Sequence, residues 1–114
     1  MTINTKDLIL IAIAIIMVLL SFLLVKPIQQ PENYHRFADK RTILGIPNCL
    51  NVLSNIPFFF VGLMGVIYVV ILIVRGGGFA SLLSYMIFFT GVFLTGFGSV
   101  WYHLNPNNET LVWD

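Results

Sequence analysis

A multi-pass bundle of membrane-crossing helices is the fold this sequence predicts, and three observations carry the prediction. Only 10% of the 114 residues are charged, against about 25% in a soluble domain, too few to cover a water-facing surface. Hydrophobic residues make up 58% of the chain and mean hydropathy is +0.92. The apolar residues come in three long continuous runs rather than in alternation. That argues against spanning strands, because an open sheet leaves backbone groups unsatisfied in lipid. The net charge of +1, with no basic run, gives nucleic acid no footing.

The first run is "LILIAIAIIMVLLSFLLV", Leu8 to Val25, with Ser21 its one polar member. A crossing helix needs about 20 mostly apolar residues, so the run qualifies. It exceeds the 7–15 apolar residues of a signal peptide, and "LLVKPIQQ" lacks a small-x-small cleavage site, so a retained anchor is expected. The loop that follows, "KPIQQPENYHRFADKRTILGIPN", carries Tyr34, Phe37 and Ile43 and is expected to fold onto the membrane surface. It holds Lys26, Arg36, Lys40 and Arg41, against Lys6 and Arg75 on the other side. The positive-inside rule therefore puts this loop in the cytoplasm and the N-terminus outside.

The second helix is expected over residues 49–74, with Pro47 placed to open it. Asn48, Asn51 and Asn55 recur at i, i+3 and i+7, which puts three amides on one face beside Ser54. Such amides are either packing glue between helices or the lining of a polar cavity. Gly62 and Gly65 farther along permit close helix contact. Cys49 is the one cysteine, so no internal disulfide forms, and it reads as a small buried residue.

The third helix is expected over residues 79–104. Gly91, Thr95, Ser99 and His103 follow at four-residue spacing and line one slowly drifting face, with Thr95 back-bonded to its own helix. "NPNNE" then breaks the helix at Pro106, and Asn107 or Asn108 caps a fourth that starts near residue 109. If that helix turns back beside the third, Ser99, His103 and Asp114 reach a common depth. Ser99 lies about 6 Å below His103, and Asp114 lies about 9 Å beyond the fourth helix's start. Ionisable groups inside membrane segments usually face the bundle interior as functional groups. The structural alternative is a histidine bonded to lipid headgroups beside a packing serine.

The stretches "YHRFADKRTILGIPNCLNVLSN", "GSVWYHL" and "LVWD" resemble the bacterial branch of the alkaline ceramidase family. These membrane amidases share a hydrolase superfamily with the progestin and adiponectin receptors. The resemblance covers about Tyr34 to Asp114, and its specific part is S-x-x-x-H followed eleven residues later by D. It implies a seven-helix core with zinc held by three histidines. His103 would be one, and an H-x-x-x-H on the last core helix would supply the others. Ser99 and Asp114 would flank the water on the metal as catalytic residues. The implied reaction hydrolyses the amide of a ceramide-like lipid to a sphingoid base and a fatty acid, in a bacterial inner membrane. The animal relatives also bind calcium ahead of their first core helix, where this chain offers Glu32, Asp39 and Asn48. The chain contains no H-x-x-x-H and reaches only the start of the family's third core helix, so it is expected to be the N-terminal part of a longer protein. Two rival expectations remain: a membrane receptor or sensor that keeps the metal, and a small membrane scaffold without one.

Overall fold

A computed structural model describes residues 4–24 and 26–114 of the chain. It is an all-α bundle, and three of its helical segments are long and apolar enough to cross a membrane. Helix α1 spans Thr5–Leu24, and Val25, where the first span was expected to end, lies outside the described residues. It begins three residues earlier than the hydrophobic run. Asn4 and Asp7 cap each other, the Asp7 N–H donating to Asn4 Oδ1 at 3.0 Å and the Asn4 N–H to Asp7 Oδ2 at 3.1 Å. These bonds satisfy donors that a helix start otherwise leaves open.

The second span is broken. Helix α2 covers only Cys49–Leu53, and α3 restarts at Ile56 and runs to Val74. Pro57, the second residue of α3, explains the break: it has no N–H for the Leu53 carbonyl, and its ring crowds that carbonyl. At the break the Asn55 N–H turns to the Val52 carbonyl at 3.2 Å. The Asn51 carbonyl, deprived of that donor, accepts instead from Asn55 Nδ2 at 3.0 Å and Ser54 Oγ at 2.7 Å. Pro47 does not open the helix either. Asn48 stands between, in the left-handed conformation with φ 48° and ψ 42°.

Helix α4, Phe79–Leu104, returns beside α3 after the turn Arg75–Gly78. The α3–α4 hairpin is the centre of the fold. Phe59 of α3 and Phe93 and Phe97 of α4 meet edge to face, with centroids 4.7–5.7 Å apart. Each such pair adds about 0.5–1.5 kcal/mol beyond its burial. Gly62 lets the α4 backbone come this close: a Cβ there would collide with the main chain of Phe93. Gly65 faces the ring of Phe89 in the same way.

Helix α5 is a short turn, Asn108–Leu111, with a full capping box: Asn107 Oδ1 accepts from the Glu109 and Thr110 N–H groups, and Thr110 Oγ1 accepts from the Asn107 N–H. It starts within a residue of the expected position. Helix α1 reaches the hairpin at its two ends. Asp7 is buried beside the Gly76–Gly78 turn, and the Phe22 ring lies 6.2 Å from that of Trp113. The radius of gyration is 17.8 Å, against about 13 Å for a compact domain of this size. The Cα atoms fill a slab of 50 × 33 × 16 Å. Most large apolar side chains of the long helices point outward, as suits a lipid solvent.

Candidate functional site

The open end of the α3–α4 hairpin gathers the polar chemistry of the molecule. Ser99 is buried, Tyr102 is buried to 2% exposure, and His103 is half-buried in the last turn of α4. The spacing of Ser99 and His103 was legible in sequence, while Tyr102 was not singled out, and the stripe extends less far than expected. Residues four apart advance about 40° around a helix, so the line drifts outward. Gly91 and Thr95 are exposed, and Thr95 Oγ1 bonds back to the Gly91 carbonyl at 3.0 Å.

Asp114 arrives from the other side. The chain leaving α5 crosses α4 at Gly98, where any Cβ would run into the Trp113 carbonyl. This contact sets the exposed Asp114 beside α4. Ser99 and His103 lie on the last two turns of α4, and Asp114 follows the residue that meets α4 at Gly98.

The first loop closes over this end. His35, in the 3₁₀ turn Glu32–His35, meets the Tyr102 hydroxyl through Nδ1 at 2.9 Å. Phe37 lies edge-on to both Tyr102 and His103, with centroids 5.5 and 4.7 Å away. Asn48 Nδ2 donates to the His103 carbonyl at 2.9 Å. Asn108 pairs with the Gln30 backbone twice, at 2.7 and 3.1 Å. Sequence reasoning placed the loop on the membrane surface but missed the His35–Tyr102 pair. The one available signal was aromatic residues around a histidine in an otherwise polar loop.

Two imidazole nitrogens are left over. His103 Nδ1 and His35 Nε2 are buried with no hydrogen-bond partner among the described residues. Buried polar atoms without partners are rare, and an ion or group not yet in place is one cause. An unpaired nitrogen on His103 fits one corner of a zinc site. Among the described residues no three His, Cys, Asp or Glu side chains gather around one point.

The three calcium candidates have separate engagements. Glu32 lies 3.9 Å from Arg36 and is almost fully exposed. Asp39 accepts from Arg41 Nε through one oxygen and from the Leu50 N–H, at 3.1 Å, through the other. The Arg41 guanidinium, with help from the Leu50 N–H, holds the Asp39 carboxyl below the usual carboxylate range. Asn48 directs its Nδ2 to the His103 carbonyl. Nor do the three asparagines form one face. Asn48 lies outside the helix, Asn51 donates to the Asp39 carbonyl at 3.4 Å, and Asn55 mends the break before α3. Cys49 is buried and free.

No protein-family model, curated protein or solved structure matches this chain.

Proposed function

We propose that this chain forms the first part of a zinc-dependent intramembrane amidase acting on ceramide-like lipid amides. The observation that carries the proposal is the unpaired, buried Nδ1 of His103, one turn beyond buried Ser99. A catalytic zinc takes three protein ligands and keeps one position open. His103 is one ligand, and two more must come from outside these 114 residues. When bound, zinc supplies Lewis acidity that lowers the pKa of a water to about 7.

The chain's own groups have distinct parts. Asp114 accepts the proton of the attacking water and returns it to the departing amine nitrogen. Ser99 donates its hydroxyl to the oxyanion that develops on the amide carbonyl. Phe37, lying against His103, excludes water from one side of the imidazole. The outward apolar surfaces suit a location of this end near the bilayer interface, where the scissile amide of a membrane lipid resides. A bacterial inner membrane with the first loop in the cytoplasm suits the charge of that loop.

The test is zinc content followed by fatty-acid release from a fluorescent ceramide, in the whole polypeptide and its His103→Ala variant. The expected outcome is about one zinc per chain, lost with the imidazole, and at least a 100-fold fall in release. Zinc without hydrolysis points to the receptor or sensor reading. Absence of zinc in the intact protein refutes both.

A further inference from the structure

Beside the end of α1 lies a crevice of about 490 Å³, bounded on its other side by α5. That volume falls within the range of ligand sites, about 300–1,000 Å³. Phe22, Ile28, Leu111 and Val112 give it apolar walls. Long-range contacts fix those walls relative to one another. Asn108 bonds the Gln30 backbone twice, at 2.7 and 3.1 Å, and the Phe22 ring lies 6.2 Å from that of Trp113.

Three polar side chains line the crevice, and two are already engaged. The Ser21 hydroxyl donates to the Met17 carbonyl at 2.8 Å. The Asn108 amide uses both its oxygen and its nitrogen on Gln30. Lys26 is the third, the one charged residue of the lining. Among the described residues no carboxylate pairs with it, whereas Glu32 and Asp39 stand beside Arg36 and Arg41 of the same loop. Lys26 also follows a helix long and apolar enough to cross a membrane. A lysine just past such an end reaches for the headgroup layer. An apolar slot with one unpaired cation at that depth matches a molecule with a hydrocarbon tail and a negative head.

We infer that this crevice binds an anionic glycerophospholipid of the bilayer, with one acyl chain between α1 and α5 and the phosphate on the Lys26 ammonium. Basic pockets between membrane helices select anionic headgroups in this way. A zwitterionic lipid would bring its own quaternary ammonium against Lys26; a net negative headgroup does not. The site is separate from Ser99, His103 and Asp114, so it stands or falls apart from the amidase reading.

Trp113 reports on the crevice, because its ring neighbours Phe22 of the wall. The chain carrying Trp101→Phe, which leaves Trp113 as its single indole, is placed in phosphatidylcholine vesicles. A minor fraction of brominated phosphatidylglycerol or, separately, brominated phosphatidylcholine serves as quencher. At equal mole fraction the phosphatidylglycerol should quench about 5-fold more effectively, the worth of one lysine at a lipid surface. Lys26→Gln should abolish that preference, and so should Ser21→Phe, which fills the crevice and leaves its charge alone. Lys40→Gln, at an exposed lysine of the same loop outside the crevice, should retain it. Equal quenching by both lipids in the parent overturns the inference. So does a preference that survives Lys26→Gln or Ser21→Phe, or one that Lys40→Gln removes equally, the mark of diffuse attraction to the loop. A Trp113 signal blind to both lipids overturns it too, and its shift on dilution with lipid would identify a second copy of the chain as the occupant.

Discussion

The two ends of the α3–α4 hairpin are built differently. At one end, Arg75 to Gly78 merely reverses the chain, and the Ser81 hydroxyl bonded to the Gly78 carbonyl at 2.8 Å is a local, exposed contact. At the other, side chains far apart in sequence bind one another: His35 to Tyr102, Asn48 to His103, Asn108 to Gln30. The same pair of helices thus has an end that only needs to turn and an end whose atoms are held in place. Long-range polar bonds mark where position matters.

The strongest way to break that contrast is Gly98→Val. The added side chain collides with the Trp113 carbonyl, so the segment after α5 must leave α4 and take Asp114 with it. Overpacking of this kind costs about 1–3 kcal/mol. A matching drop in thermal stability and a changed Trp113 emission are expected, and an unaltered emission would count against the contact. Tyr102→Phe comes next. It strands His35 Nδ1 at a cost of about 1–2 kcal/mol, and protease cleavage between residues 32 and 41 should quicken. Pairing it with His35→Phe should restore most of the loss, since removing both partners leaves no orphan.

Asp39→Asn has a smaller effect, with a pH signature. The Arg41 guanidinium and the Leu50 N–H hold the folded carboxyl below its ordinary value. Its stabilising contribution is therefore complete above the unfolded carboxyl's value of about 3.9. It disappears as pH falls through the lowered folded value. The parent's unfolding temperature should decline into acid more steeply than that of the variant, and the two should differ most at neutral pH. Parallel curves would refute this. Ser81→Ala, at the plain end, should change stability by less than about 0.5 kcal/mol. A larger change there would erase the distinction between the two ends.

How much of this was legible beforehand follows from which interactions are local. The spans could be read because the bilayer imposes a length and an apolar composition on any helix that crosses it. The α5 start could be read because Asn107 and Thr110 cap within four residues. The return of the chain toward α4 after a short connection could be read from "NPNNE", which breaks the helix at Pro106. The break in the second span was missed because Pro47, not Pro57, was taken as the punctuating proline. The jobs of Asn48 and Asp39 were beyond sequence reasoning for a different cause. Asn48 acts on a carbonyl 55 residues away, and Asp39 caps a helix 11 residues on. Only tertiary structure brings such partners together.

The unequal lengths of α3 and α4 have a further effect. With 19 residues, α3 is about 28 Å long and matches a hydrocarbon layer of about 30 Å. With 26 residues, α4 is about 39 Å long and exceeds that layer by about 9 Å, an excess a helix takes up by tilting. Hydrophobic mismatch then acts on α4 more than on α3: longer acyl chains thicken the bilayer and let α4 stand more upright, while shorter ones increase its tilt. The length of the surrounding acyl chains thus sets how steeply this helix must lean.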